Sequence, residues 1–132
     1  RGEPDAATPT LVRVHVQNPL ADSLHWRRAD FGPAVGDVLA AISRAGRGAL
    51  VLLGDNAGPD ALLARVRATP HEPEAPAGPA LHEWRRNGAG AQILADLGLG
   101  RLRVIGTPRK QIGLAGFGLE VVEYVDLAHL PA

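Results

Sequence analysis

The segment that most restricts the fold of this chain is a run of five apolar residues at positions 49–53, Ala-Leu-Val-Leu-Leu. A continuous apolar run of this length is typical of a β-strand that is covered on both faces. After a turn, Pro59 begins a helical pattern, and we expect Leu62, Leu63 and Val66 to form the buried stripe of that helix. A buried strand that is followed directly by a helix is typical of α/β proteins.

The rest of the chain repeats this alternation of strands and helices. Residues 11–16 alternate apolar and polar side chains, as a half-buried strand does, whereas residues 18–22 are predicted to be loop. The other predicted elements are a helix at 34–45 that ends at Gly46, a helix at 90–97 that ends at Gly98, a strand at 102–105, a short helix at 108–114 and a strand at 118–125. The predicted fold class is therefore α/β, with a mixed, mostly parallel sheet flanked by helices.

Length and charge limit the organisation of the chain and its partners. A chain of 132 residues, 45% of them hydrophobic, is long enough for one domain with a core, and we interpret the polar residues 1–10 as a linker or lead-in to a domain at 11–132. Fourteen basic residues balance fourteen acidic ones, which gives no electrostatic reason to expect nucleic acid or a membrane surface as a partner. The apolar runs are too short to span a bilayer and no signal peptide is evident, so we expect a cytoplasmic location.

The available residue types argue against a metal site. The chain has no cysteine. Its five histidines contain no pair at the i, i+3 or i, i+4 spacing by which one helix supplies two metal ligands. We therefore interpret the histidines as ordinary surface or core-edge residues.

Two turns between a predicted strand and a predicted helix have the location of a phosphate-binding loop. The turn at 54–59 lacks the common glycine-rich phosphate-binding patterns, and the carboxylate of Asp55 would repel a phosphate. The turn at 106–110 offers the hydroxyl of Thr107 and the cations of Arg109 and Lys110. For this second turn a weak anion site and a plain solvated turn both stay open.

Four segments together resemble bacterial GTP cyclohydrolase II in their order and spacing. They are residues 11–15 (Leu-Val-Arg-Val-His), 30–33 (Asp-Phe-Gly-Pro), 90–98 (Gly-Ala-Gln-Ile-Leu-Ala-Asp-Leu-Gly) and 118–123 (Gly-Leu-Glu-Val-Val-Glu). The resemblance covers nearly the whole chain and implies the fold of that family, N-terminally incomplete because the upstream strands are missing. It also implies a role in riboflavin biosynthesis, in which this domain is often fused behind 3,4-dihydroxy-2-butanone 4-phosphate synthase.

The metal-binding motifs of that family are altered in this sequence. The family reads HSECLTGD and then RCDCGPQ, and its three cysteines bind the zinc ion that activates water. The corresponding positions here hold Asn18, Ala29 and Phe31. Alanine and phenylalanine have no atom that binds zinc, and one asparagine amide cannot hold the ion. The resemblance therefore implies that zinc and its activated water are absent, so we expect no cofactor and expect Phe31 to fill part of the vacated volume.

The family's residues for the nucleotide are only partly retained. Its EGR text, which grips the triphosphate, falls on residues 56–58 (Asn-Ala-Gly), and the loop at 69–79 replaces a longer substrate segment. By the resemblance, Arg85 matches the arginine nucleophile of the family and Glu83 replaces its aspartate proton acceptor, which makes both vestigial catalytic residues. Positions that contact GTP in the family are matched by Arg13, His15 and Lys110. Whether these residues are kept for packing or are remnants is left open.

Three functions follow from this contrast between an intact scaffold and altered motifs. The leading hypothesis is a catalytically silent, GTP cyclohydrolase II-like domain that supports or regulates a fused 3,4-dihydroxy-2-butanone 4-phosphate synthase, as a homodimer. The alternatives are an active GTP cyclohydrolase with an unusual site and a nucleotide- or flavin-sensing domain that reuses the old pocket.

Overall fold

The centre of the domain is a four-stranded parallel sheet. The computed structural model describes residues 1–54, 58–68, 80–106 and 114–130, with the backbone alone for residues 80–87. The strands are β1 (Thr10–Val16), β2 (Gly48–Leu53), β3 (Arg101–Ile105) and β4 (Glu120–Val125). Their order in the sheet is β2-β1-β3-β4, and each neighbouring pair is parallel. The predicted α/β fold is confirmed; the sheet was predicted to be mixed and mostly parallel, and all its described strand pairs are parallel.

The helices lie between these strands in the chain. They are α1 (Pro19–Asp22), α2 (Val35–Ala45), α3 (Pro59–Arg67) and α4 (Ala80–Asp96). The predicted ends of two helices are confirmed, because Gly46 and Gly98 follow α2 and α4 with φ angles of 73° and 82°, which glycine adopts without strain. Short 3₁₀ turns cover Ala29–Phe31, Leu114–Phe117 and Leu127–His129. Within the described ranges, no helix combines the length and the apolar character needed to cross a membrane.

Two sequence predictions of helices need correction. Residues 18–22 were predicted to be loop, but the Asn18 side chain accepts a hydrogen bond from the backbone N–H of Leu20 at 3.2 Å and Pro19 occupies the first helical position, so a short helix forms. Helix α4 starts at Ala80, ten positions before the predicted start. The helix predicted at 108–114 falls almost entirely outside the described residues.

One face of the sheet packs against α2. Val38 and Ile42 of α2 are 0% and 5% exposed, and they contact Leu11 of β1, Ile105 of β3 and Val125 of β4 in one buried cluster. Complete burial of an aliphatic side chain contributes about 2 kcal/mol. This cluster brings the loop that precedes α2 to the carboxyl end of the sheet.

The opposite face packs against α4. Ala91 and Leu94 of α4 join Val12, Val51 and Leu102 of the strands, and each of these residues is at most 6% exposed. Because helices cover both faces, the core of the sheet is apolar on both faces, as the run at 49–53 predicted. Apolar residues of the two edge strands are more exposed, with Leu52 of β2 at 59% and Val122 of β4 at 42%.

Helix α3 is where the predicted core is wrong. Leu62, Leu63 and Val66 were predicted to form a buried stripe, but α3 has no buried residue, and Leu63 and Val66 are 49% and 42% exposed. The amphipathic spacing correctly predicts a helix at these residues. However, no layer of the described domain covers the apolar face of this helix.

The residues before β1 contact the domain. The backbone N–H of Gly48 in β2 donates to the carbonyl of Arg1 at 3.1 Å, and the Asp5 carboxylate pairs with the Arg47 guanidinium. Asp5 also accepts hydrogen bonds from the backbone N–H groups of Ala7 and Thr8. The segment predicted to be a linker or lead-in thus runs along the start of β2.

Candidate functional site

Strand β1 directs two polar side chains toward the carboxyl end of the sheet. Arg13 and His15 are two residues apart, so they lie on the same face of the strand as Leu11, the face that packs against α2. The Arg13 guanidinium donates to the carbonyl of Ile105 at 2.9 Å, where β3 ends. Its terminal nitrogens also lie against Gly106 and Gly32, where an added Cβ would be 3.0 Å and 3.4 Å away. Arg13 therefore joins two neighbouring strands and the loop that precedes α2.

His15 is buried and bound to a carboxylate. Its side chain is 3% exposed, and its Nε2 donates to both oxygens of Asp22 at 2.9 Å and 3.0 Å. The same carboxylate accepts the backbone N–H of Asn18 at 2.8 Å, which closes a ring between the end of β1 and α1. The Nδ1 atom of His15 has no hydrogen-bond partner within the part of the chain that the structure describes. This imidazole is a buried, oriented group rather than the surface or core-edge histidine that the sequence predicted.

Asn18 occupies the first zinc-ligand position of the resemblance, and its side chain has another use. Its Oδ1 accepts the backbone N–H of Leu20 and so caps α1. The same oxygen lies 3.4 Å from a terminal nitrogen of Arg65 in α3. An amide oxygen that is already engaged twice is not available as a metal ligand.

The two other ligand positions lie in the 3₁₀ turn Ala29–Phe31, beside a cluster of two rings and a guanidinium. We call the side chains of Trp26, Arg28, Asp30 and Phe31 the aromatic–guanidinium cluster. The rings of Trp26 and Phe31 meet edge to face, with their centroids 5.7 Å apart. The Arg28 guanidinium carbon lies 4.6 Å from the centre of the Phe31 ring and 5.2 Å from that of Trp26, within the range of cation–π attraction.

Arg28 is fixed by hydrogen bonds as well as by the rings. Its Nε and Nη2 donate to the two oxygens of Asp30 at 2.9 Å and 2.6 Å, and its Nη1 donates to the backbone carbonyl of Arg65 at 3.1 Å. The side chain is only 9% exposed. The residue after the 3₁₀ turn must be glycine, because Gly32 has a φ of 68° and a ψ of −167°. Only glycine readily adopts this backbone conformation. The cluster is therefore a rigid contact between this turn and α3.

A pocket of about 310 Å³ opens beside the cluster. Ala29 and Phe31 form part of its wall, with Trp26, Pro33 and Asp37 around them. The pocket thus lies at two of the three positions where the resemblance expects zinc ligands, and Asn18, the third, is not among its lining residues. Its volume is at the lower end of the range for small-molecule sites.

Hydrogen bonds shift the titration of three carboxyl groups. The Arg28 guanidinium lowers the pKa of Asp30, and Asp30 in turn raises the pKa of Arg28. The Arg47 guanidinium, with the backbone N–H of Thr8, holds the pKa of Asp5 far below its usual range. The backbone N–H of Ala128 lowers the pKa of Asp126. The fold therefore favours the ionised form of Asp5, Asp30 and Asp126.

These shifts predict a loss of stability in acid. A carboxyl group whose pKa is lower in the folded state stabilises the fold above its unfolded pKa of about 4, and this contribution is lost as the pH falls toward the folded value. We expect the free energy of unfolding in urea to decrease from pH 4 to pH 2, and to decrease less steeply in the Asp5→Asn variant, whose side chain does not titrate. An equal slope in the wild-type protein and the variant would show that the Asp5–Arg47 contact does not produce the effect.

The described side chains do not fit a zinc ion. Asn18 uses its oxygen for a cap and for Arg65, and neither Ala29 nor Phe31 carries a donor atom. No group of three or more histidine, cysteine, aspartate or glutamate side chains comes together in the described ranges. These three positions therefore supply no set of zinc ligands.

The structure brings together only some of the residues that the sequence singled out. Arg13 and His15 lie on one face of β1, and their side chains are directed toward the carboxyl end of the sheet. Glu83 and Arg85 belong to α4, but only their backbone is described. Lys110 lies outside the described residues, as do the first two positions of the triphosphate grip, whereas Gly58 directly precedes α3. The roles of these residues stay predictions.

A comparison with protein families decides the ancestry of this arrangement. The model of the family described as GTP cyclohydrolase II matches residues 1–126. The chain belongs to the GTP cyclohydrolase II family. The match confirms the resemblance that the four sequence segments carried.

Individual relatives are similar to the chain over almost its whole length. A "3,4-dihydroxy-2-butanone 4-phosphate synthase" of Pseudomonas aeruginosa is 42% identical over 127 residues, which cover 94% of this chain and 33% of that protein. A protein of the same description from Pseudomonas syringae pv. tomato is 40% identical, over 89% of this chain and 32% of its own length. A "Riboflavin biosynthesis protein RibBA" of Bacillus cereus is 39% identical over the whole chain and 35% of its own length. The chain spans about a third of the length of these relatives.

Family membership also identifies a residue that the sequence analysis missed. Asp22 stands at the last position of the family's HSECLTGD text, seven residues after His15, which stands at the first. The structure joins the two ends of this text by the ion pair between Asp22 and His15. The signal was present in the sequence, since both ends of the motif are retained while its cysteine is not.

Proposed function

We propose that this chain is a catalytically silent GTP cyclohydrolase II-like domain of a riboflavin biosynthesis protein, and that it supports or regulates a fused 3,4-dihydroxy-2-butanone 4-phosphate synthase. The proposal has two parts, the absence of GTP turnover and the supporting role. They rest on different observations and have separate tests.

One observation carries the first part: of the three metal-ligand positions of the family, two hold side chains with another structural role and the third holds a side chain without a donor atom. The Asn18 oxygen caps α1, Phe31 packs against Arg28 and Trp26, and Ala29 has no polar side chain. The nucleophile of the family is a water bound to zinc, and without the metal that water has its ordinary, high pKa. The sequence at 56–58, which replaces the triphosphate grip, removes binding residues as well.

The supporting role rests on the relatives. Two of them carry the name of the synthase alone, and a third is a RibBA protein, while this chain matches only about a third of each. The chain is about 40% identical to these relatives although it lacks the family's zinc-binding cysteines, and this contrast supports a role for the scaffold. We propose that the scaffold acts on the synthase as a homodimeric, cytoplasmic partner, and that neither nucleic acid nor a membrane is involved.

The first test measures zinc and GTP turnover. We expect the protein purified without chelators to contain well below one zinc ion per chain by elemental analysis, and to release no formate from GTP above a control without protein. An active GTP cyclohydrolase II assayed in parallel shows that the conditions support the reaction. Stoichiometric zinc together with formate release that depends on GTP would instead establish the alternative, an active cyclohydrolase with an unusual site.

The second test measures the supporting role. In a protein that carries this chain fused to the synthase, we expect deletion of the chain to lower the synthase activity, the thermal stability or the oligomeric state. Gel filtration and the formation of dihydroxybutanone phosphate report these properties. Equal values in both proteins would refute the supporting role, and the result on GTP turnover would still stand.

The pocket beside Phe31 favours one further candidate, a nucleotide- or flavin-sensing domain. Trp26 lines this pocket, is 39% exposed, and offers a ring on which a planar base or flavin can stack. This candidate predicts that GTP, GMP, FMN or riboflavin raises the melting temperature, because a ligand that binds only the folded state stabilises it. Unchanged melting with all four compounds would exclude this candidate.

A further inference from the structure

Among the described residues, helix α3 shows little of the apolar packing that normally fixes a helix to its domain. Its nine residues include no buried side chain. A helix of this length is not stable by itself in water, since most helical stability in proteins comes from tertiary packing. Other contacts must therefore hold α3 in place.

Hydrogen bonds from the two altered motifs reach α3 at one residue. Arg28, beside the second ligand position, donates to the backbone carbonyl of Arg65 at 3.1 Å. Asn18, at the first ligand position, lies with its Oδ1 3.4 Å from the Arg65 side chain. Both contacts span more than thirty residues of sequence, so they connect separate parts of the domain.

The position of Arg65 in the helix makes the contact with Arg28 favourable. Helix α3 ends at Arg67, so the carbonyl of Arg65 belongs to the last turn, where carbonyl groups have no partner within the helix. The last turn also carries the negative end of the helix dipole. The Arg28 guanidinium supplies both a donor and a positive charge at this end, and thereby acts as a C-terminal cap from another part of the chain.

Arg28 can do this because the rest of its side chain is immobilised. Asp30 binds two of its nitrogens, and the rings of Phe31 and Trp26 lie near its guanidinium. A guanidinium has donors in a rigid fork, so one edge can hold Asp30 while another nitrogen reaches Arg65. A lysine ammonium at this position has no fork and could not keep both contacts.

We propose that the hydrogen bond from Arg28 to the Arg65 carbonyl holds α3 on the domain, and that α3 opens as one unit when this hydrogen bond is lost. The proposal goes beyond the proposed function, since it concerns the motion of one helix and holds whether or not GTP is turned over. Opening of α3 would move Gly58, which directly precedes the helix, and the exposed Leu63 and Val66 on its surface.

Hydrogen exchange of the backbone amides, measured by mass spectrometry on the 132-residue chain, tests whether Arg28 holds α3 in place. We expect Arg28→Ala to speed the exchange of the amides at 62–68 about tenfold, because a hydrogen bond from a charged group is lost. The amides of β1 and α2 are expected to exchange as in the wild-type protein. Arg27→Ala is the matched control, since the neighbouring Arg27 side chain is 78% exposed and contacts Asp37 rather than α3.

Two further variants make the test specific. Arg28→Lys keeps the positive charge but not the forked donors of the guanidinium, and we expect faster amide exchange in α3 for this variant as well. This variant keeps the test decisive if Arg28→Ala does not fold. Asp30→Asn weakens the contact that fixes the Arg28 guanidinium but leaves its donor to the Arg65 carbonyl. We therefore expect a smaller increase in the exchange rate of α3 than for Arg28→Ala. Unchanged exchange of α3 in both Arg28 variants, or an equal increase in all segments, would overturn the proposal.

Discussion

Replacement of Leu102 with alanine is expected to lower the free energy of unfolding by about 3 kcal/mol. Leu102 is 1% exposed in β3, an inner strand of the sheet. It belongs to the cluster in which Leu94 of α4 packs against the strands. Alanine would leave a cavity there that the sheet cannot close, because β3 is held by hydrogen-bonded neighbours on both sides.

Urea unfolding followed by circular dichroism measures this loss. The matched control is Leu39→Ala in α2, because Leu39 is 51% exposed and its removal leaves no cavity. For this control we expect a change of at most about 0.5 kcal/mol. A loss below about 1 kcal/mol for Leu102→Ala would mean that the layer between α4 and the sheet is not the tightly packed core described here.

Local sequence patterns predicted the layers of the fold because these patterns reflect burial directly. The apolar run at 49–53 identified a strand that is covered by a helix. The helical spacing at 34–45 predicts one apolar face with Val35, Val38, Leu39 and Ile42; Val38 and Ile42 of this face are buried against the sheet, whereas Leu39 is 51% exposed. The same spacing failed at Leu63 and Val66 of α3, since periodicity shows that a helix has an apolar face and not whether another element covers it. Helix α1 was missed because it depends on one cap at Asn18 rather than on a repeating pattern.

The candidate site was harder to predict from the sequence, because its contacts join residues that are far apart in the chain. The family motifs identified Asn18, Ala29 and Phe31 as positions that cannot hold zinc, because that inference needs only the identity of a residue. The contacts that these positions make in the folded domain could not be inferred in this way. The contacts of Arg28 and Asn18 with Arg65 join residues 37 and 47 positions apart, and no local pattern reports such a contact.

Replacement of Asp22 with alanine is expected to lower the free energy of unfolding by about 2 kcal/mol at pH 7. The substitution removes both partners of the His15 Nε2 donor and also the acceptor of the Asn18 backbone N–H. Because His15 is 3% exposed, water cannot easily replace the lost carboxylate, and the imidazole stays buried without its partner. Asp22→Asn retains one acceptor oxygen and is expected to lose less stability than Asp22→Ala.

The control for this prediction is an exposed ion pair. Asp37→Ala removes the partner of Arg27, and since both side chains are more than half exposed we expect a change of about 0.5 kcal/mol or less. Denaturation of the three variants in parallel then decides why His15 is retained, a question that the sequence left open. A large loss in Asp22→Ala alone would mean that His15, which the resemblance matches to a GTP-contacting position, serves the fold, as the proposed scaffold role requires. Equal stability of Asp22→Ala and the wild-type protein would leave His15 as a remnant of the GTP site, and would weaken the scaffold interpretation at the residue where it is most direct.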